Sequence, residues 1–266
     1  MQYGFNYPLS QSTGPGELAE DVFLIQSTNG VNPGGFVTVP RFLFACAPPL
    51  LLQGRGAVPR SVQGFAGLGR NPIALPTQLS SYFGFQHKFA LCLAGNGVTR
   101  VVFFGGGPFM MSPGLDISRS LNQTPLTINR RGEYYIGVRS IKINEKVVPL
   151  NKTLLSVDQR GNGGTMISTV VPYTILHSSI FKAVTQTFAN ELSSVSTVLP
   201  VAPFGLCFNR SLVGYSRIRP NVPNVNLVLQ NNNMVWTIFG SYVVAPAGDN
   251  ALCLAFVDGG VQSFDR

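Results

Sequence analysis

Turn residues interrupt this sequence before any apolar stretch can grow long. Its 266 residues include 29 glycines and 19 prolines, a density above ordinary usage. Glycine weakens helix interiors and proline breaks them, so a bundle of long helices is excluded. Many short strands joined by turns remain. The 19 phenylalanines and eight tyrosines suit pleated, half-buried surfaces. Hydrophobic residues supply 45% of the chain and charged ones only 11%, the reverse of a disordered composition. An all-β chain with few short helices follows, long enough to bury one large core or two ordinary ones.

The same composition narrows function. A membrane-spanning helix needs roughly 20 consecutive apolar residues, and the longest candidate, Phe42 to Leu52, is broken by Pro48-Pro49. Met1-Gln2-Tyr3-Gly4-Phe5 shows neither the basic start nor the apolar run of a signal peptide. The net charge is +8, yet the cations are scattered, with Arg130-Arg131 the sole adjacent pair. Nucleic-acid binding wants cations gathered on one face, so an acidic polymer or acidic protein partner fits better. Cys46, Cys92, Cys207 and Cys253 contain no Cys-x-x-Cys; His87 stands five residues before Cys92 with no third ligand type clustered there, and His177 has no cysteine or histidine near it in sequence. That spacing supplies no metal-ligand cluster and implies no cofactor; structural disulfides or buried thiols are the reading. Three Asn-x-Ser/Thr sequons, at Asn122, Asn151 and Asn209, are candidates for glycosylation.

Local patterns place the elements. Gly16 to Thr28 reads as an extended arm and Phe36 to Ala45 as a strand; Leu91 to Leu93 and Arg100 to Phe104 are further strands. Leu75 to Phe83 predicts a short helix, with Pro76 in its first turn and Gly84 as its stop. Gly105-Gly106-Gly107-Pro108 is a break that lacks the Lys and Ser/Thr of a phosphate loop. Tyr134 to Asn144 predicts one strand that turns at Glu145-Lys146 into Val147-Leu150. Ile180, Val184 and Phe188 recur every four residues and predict a helix over Ser179 to Leu192, capped by Ser178 or Ser179. Asn224 to Leu229 and Val235 to Phe239 pair across Asn231-Asn232-Asn233, and Cys253 to Val257 reads as a buried strand.

Several stretches carry a more specific likeness: Gly16-Glu17-Leu18-Ala19-Glu20-Asp21-Val22, Val39-Pro40-Arg41-Phe42-Leu43-Phe44-Ala45-Cys46-Ala47-Pro48, Gly67-Leu68-Gly69-Arg70, Ile73-Ala74-Leu75-Pro76, Gly164-Thr165-Met166-Ile167-Ser168-Thr169 and Val201-Ala202-Pro203-Phe204-Gly205-Leu206-Cys207-Phe208. In this order they resemble the plant branch of the pepsin-like aspartic peptidase fold, and within it the group of xylanase inhibitors, basic 7S globulins and extracellular dermal glycoprotein. The resemblance implies a bilobal all-β fold, incomplete at both termini, with residues 1–115 in a partial N-terminal lobe and 116–266 in a partial C-terminal lobe. It also implies a secreted, apoplastic or cell-wall protein and a bridge between Cys207 and Cys253; the partners of Cys46 and Cys92 stay open.

Pepsin-like hydrolysis uses two carboxylates sharing one proton. None of the six aspartates precedes Thr-Gly or Ser-Gly, and the resemblance puts Ser168 at the second catalytic position. The first catalytic segment lies, in the family, ahead of everything here. A hydroxyl cannot replace a carboxylate in that role, and no Gly-x-Ser-x-Gly elbow offers another nucleophile. What the resemblance implies instead is binding: inhibition of microbial or plant glycoside hydrolases by arginines set between the target's catalytic carboxylates. Arg217 matches the first such arginine; the second belongs to a tail beyond Arg266. A storage or peptide-binding globulin is the alternative, and a residual endopeptidase a third reading.

Overall fold

The computed structural model describes residues 2–6, 13–46, 64–92, 101–112, 114–129, 132–159, 163–169, 173–217, 219–230 and 234–261. Pro48-Pro49, Leu93, Arg100, Arg130-Arg131 and the Asn231-Asn233 turn lie outside them. The chain divides into two compact units, Met1–Gln123 with Arg130–Glu133, and Thr124–Asn129 with Tyr134–Arg266.

In the first unit β1 (Gln2–Asn6), β2 (Thr13–Thr28) and β3 (Pro33–Cys46) form a three-stranded antiparallel sheet in chain order. The extended arm of the sequence reading is thus half of a long hairpin. Asn29 turns it, its Oδ1 accepting the N–H groups of Val31 and Asn32 at 2.9 and 2.8 Å, the local mimicry of a backbone turn that asparagine favours. Phe23 stacks on Phe42 at 4.5 Å and Val39 is buried, whereas Val22, Leu24 and Phe36 are exposed. Helix α1 (Leu75–Phe83) is bounded as its sequence predicts, with Pro76 near its start and Gly84 at φ 73° donating to the Ser80 carbonyl. Its Gln78 clamps β3 by exchanging two 2.8 Å hydrogen bonds with the Leu43 backbone. Two short ladders complete the unit: β4 (Phe89–Cys92) with β5 (Val101–Phe104), and β6 (Met110–Ser112) with β7 (Leu115–Asp116).

The second unit is richer in sheet. Its strands are β8 (Leu126–Ile128), β9 (Tyr134–Ile136), β10 (Val138–Ile143), β11 (Lys146–Val147), β12 (Thr165–Met166) and β13 (Thr174–Leu176), then β14 (Thr197–Val198), β15 (Cys207–Asn209), β16 (Tyr215–Ser216) and β17 (Arg219–Pro220), then β18 (Val225–Leu229), β19 (Val235–Ile238), β20 (Val244–Ala247), β21 (Ala251–Leu254) and β22 (Phe256–Asp258); helix α2 (Ser178–Glu191) follows β13 and the short α3 (Gly240–Val243) follows β19. They assemble as β12-β9-β8, β11-β10-β18-β19 and β14-β15-β21-β20, with a parallel β13-β22 pair and a β16-β17 hairpin. The apolar stripe of α2, namely Ile180, Val184 and Phe188, is buried in one core with Ile143, Val225, Leu252 and Leu254.

Three expectations need correction. Tyr134 to Asn144 is two strands in two sheets, broken at Gly137, a residue type that weakens a strand interior and here leaves room for the Gln230 side chain. Cys253 to Val257 is likewise divided at Ala255 between β21 and β22. Residue His177, rather than Ser178 or Ser179, caps α2: its Nδ1 accepts the Ser179 N–H at 3.3 Å. Ser178 is drawn instead to Asp258, its hydroxyl donating at 2.5 Å.

Candidate functional site

Ser168, which the resemblance puts at the second catalytic position, follows β12. Ile167 donates to the Tyr134 carbonyl at 2.9 Å, extending the β12-β9 ladder, and Ser168 comes next, on exposed backbone. The side chain there is a hydroxyl, so the position carries no charge and no ready proton at neutral pH. Residues Val170 to Pro172, the rest of this matched stretch, lie outside the described residues.

Arg217 sits at the tip of the two-residue β16-β17 hairpin, where Ser216 pairs with Arg219 and Tyr215 with Pro220. The Asn221 N–H donates to the Gly214 carbonyl at 2.8 Å and closes the base. Among the described residues two non-glycine positions have left-handed backbone, Asn144 at φ 50° and Arg217 at φ 58°. They meet that conformation differently. Asn144 is a residue type that tolerates it, and its carboxamide is fully engaged: Oδ1 accepts the Asn224 N–H at 3.1 Å and Nδ2 donates to Glu191 at 3.1 Å. Arginine has no such local compensation. Arg217 is exposed, and among the described residues no carboxylate lies within ion-pair distance of it. The hairpin thus presents, on a strained tip, a guanidinium with no ion-pair partner among the described residues, and Tyr215 and Arg219 are exposed beside it.

Helix α3 is packed against β17. Gly240 makes the approach possible, since a Cβ there would collide with the Val222 carbonyl oxygen, and its N–H donates to Asn224 Oδ1 at 2.8 Å. The hairpin tip is therefore carried on a fixed base, although Ile218 lies outside the described residues.

The cysteines of the second unit face each other across β15 and β21, and Cys207 is bonded to Cys253 with both buried completely. Among the described residues Cys46, exposed, and Cys92, half-buried, are not joined in a disulfide. Next to the bridge, Asn209 Oδ1 accepts from the Ser211 N–H at 3.1 Å, the Ser211 hydroxyl at 2.7 Å and the Asn250 amide at 3.0 Å. Asn151 makes the same turn, accepting from the Thr153 N–H and hydroxyl at 3.1 and 2.8 Å. Asn122 is exposed.

The histidines take structural roles. His87 Nε2 lies 3.2 Å from the Thr77 hydroxyl, and His177, besides capping α2, places Nε2 3.2 Å from the Val261 carbonyl. Three carboxyls are held below their ordinary values: Glu191 by the Lys146 ammonium and then Asn144, Asp258 by the Ser178 hydroxyl and then the Gly260 N–H, and Asp116 by Ser118 and the Phe109 N–H. All three are tied into turns or caps. Among the described residues no group of three His, Cys, Asp or Glu side chains could hold a metal, and no helix is long and apolar enough to cross a membrane. Arg217 lies in the turn between β16 and β17 and Ser168 follows β12, strands of two different sheets. Asp258 and Asn250 had no local sequence signal; their partners Ser178 and Asn209 lie 80 and 41 residues away.

Comparison with known proteins gives a consistent picture. The family model described as xylanase inhibitor N-terminal matches residues 1–106, and the one described as xylanase inhibitor C-terminal matches residues 133–265. Gamma conglutin 1 of Prunus dulcis is 50% identical over 257 residues, covering 96% of this chain and 58% of that protein. The Nicotiana benthamiana protein named Probable aspartic proteinase GIP2 is 46% identical, covering 96% of this chain and 60% of its own length. The crystal structure of basic 7S globulin from soybean superposes with a TM-score of 0.81 at 40% identity, covering 99% of this chain and 64% of that one. The chain spans about three fifths of the length of the curated relatives it matches.

Proposed function

This chain belongs to the xylanase-inhibitor family, a group with the pepsin-like fold, and from that premise we propose that its protein is a secreted, non-catalytic inhibitor of glycoside hydrolases that degrade xyloglucan or xylan in the plant cell wall. Arg217 is the residue assigned to the target. The observation carrying this reading is the left-handed, solvent-exposed arginine at φ 58° on a two-residue hairpin. A two-residue hairpin turn demands positive φ, and an L-residue kept there in place of glycine is the kind of strained position that clusters at binding sites. A guanidinium is always charged and pairs bidentately with carboxylates, which is the chemistry that two catalytic carboxylates of a glycosidase present. Pro220 directly after Arg219 stiffens the hairpin, lowering the ordering cost of insertion.

Ser168 supports the non-catalytic half of the reading: a hydroxyl in place of a carboxylate offers no shared-proton dyad. The relative named as an aspartic proteinase keeps the residual-endopeptidase reading distinct, and the gamma conglutin and basic 7S relatives favour the globulin alternative. Titrating the whole secreted protein into a xyloglucan endoglucanase separates these readings. Inhibition that saturates at one equivalent is the expected result. Full enzyme activity with no complex on size exclusion leaves the globulin reading.

A further inference from the structure

Helix α2 has two faces, and the core uses one of them. Ile180, Val184 and Phe188 lock the inner face in place. On the outer face Lys182, Gln186 and Asn190 recur every four residues and are all exposed, which makes them one polar stripe. Pro149 stands beside the stripe, fixed because the Val148 N–H donates to the Ile141 carbonyl at 2.9 Å and Leu150 packs on the core. Between them lies an open groove of about 320 Å³, completed by Ser179, Ala183 and Thr187. From Ser179 to Asn190 the helix runs about 16 Å, long enough for several sugar rings in a row.

The lining selects a class of ligand. Lys182 supplies its charge: among the described residues no carboxylate lines the groove, and none lies within ion-pair distance of Lys182. Glu191, next to Asn190, is already paired with Lys146 at 2.7 Å. The groove therefore favours a negative group. A bare anion asks only for donors, whereas the carboxamides of Gln186 and Asn190 each donate and accept. The Thr187 hydroxyl donates to the Ala183 carbonyl at 2.8 Å and leaves its oxygen as a further acceptor. Groups of this kind match hydroxyls, and Pro149 and Ala183 offer apolar surface to a ring face.

We propose that this groove binds an acidic oligosaccharide, a run of uronic acid residues, with a carboxylate on Lys182 and ring hydroxyls on Gln186 and Asn190. A stripe on a helix anchored by its opposite face is presented ready for contact, which lowers the ordering cost of binding. The net charge of +8 attracts polyanions to the chain as a whole; the groove gives that attraction a defined seat. It uses no residue of the Arg217 hairpin and does not depend on inhibition of any hydrolase.

The test is calorimetric titration of the whole secreted protein with a linear hexamer of galacturonic acid and with the same hexamer methyl-esterified. The expected result is saturable binding of the acid form, weakened at least about 10-fold by esterification or by Lys182→Gln. Lysine and glutamine have similar helix propensity, so the variant keeps α2, which an unchanged melting temperature checks. Arg210→Gln removes the same charge from an exposed position outside the groove and should change affinity less than about 2-fold. Equal losses in the two variants would mean diffuse attraction to a basic surface and overturn the proposal. Equal affinity for the two hexamers, or no binding of the acid form, would overturn it as well.

Discussion

Replacing Arg217 by glycine should move stability and inhibition in opposite directions. A left-handed conformation costs an L-residue about 1–2 kcal/mol, and Arg217 holds φ 58° with no hydrogen bond or ion pair among the described residues to offset it. Glycine removes that cost but returns about 0.5–1 kcal/mol through the greater freedom of the unfolded chain. The difference is a net gain of about 0.5–1 kcal/mol, or roughly 1–4 °C in Tm for a protein of this size class. Inhibition should fall instead. Close interfacial charge pairs couple by about 1.5–7 kcal/mol, so losing the guanidinium weakens inhibition at least ~10-fold. Thermal melts of the secreted protein and titration of a xyloglucan endoglucanase measure the two effects. A destabilisation above about 1 kcal/mol would mean that the arginine holds structure rather than strain, and unchanged inhibition would remove it from the interface.

Other consequences are more local. Phe188 is completely buried, its ring 6.1 Å from Phe208, so Phe188→Ala should lower unfolding stability by about 3–5 kcal/mol; a loss under 1 kcal/mol in a denaturant titration would show that the α2 core is not packed as described. The folded state lowers the Glu191 carboxyl below its ordinary 4.5, through Lys146 and Asn144. Its stabilising contribution is therefore complete above pH 4.5 and is lost as pH falls through the lower folded value. Glu191→Gln should be less stable than wild type at neutral pH, with the gap closing in acid; a gap that does not change with pH argues against this. Incubation of the protein with denatured substrates at acidic pH should yield no pepstatin-sensitive cleavage, and such cleavage would restore the peptidase reading.

Elements whose signals are local were legible in the chain itself. Helix α1 announces both ends, with proline in its first turn and glycine after its last, and α2 declares its buried stripe at four-residue spacing. The break at Gly137 was not legible, because β9 and β10 are drawn to different partners, β12 and β18, that lie far along the chain. The cap of α2 was missed for a related reason: Ser178 is a good capping residue by type, but Asp258 captures its hydroxyl across the parallel β13-β22 pair. Of the candidate site, the identity of Arg217 came from the motif. Its left-handed backbone did not, since arginine is not a residue type that advertises that conformation.

A double-mutant cycle tests the central claim most directly. Arg217→Gly in this protein is combined with Glu→Gln at each catalytic carboxylate of a xyloglucan endoglucanase, and the four dissociation constants of each cycle are measured by calorimetry. The account predicts a coupling of at least about 1.5 kcal/mol with one of the carboxylates. Effects that add to within about 0.5 kcal/mol for both, or no complex with the wild-type pair, would contradict it.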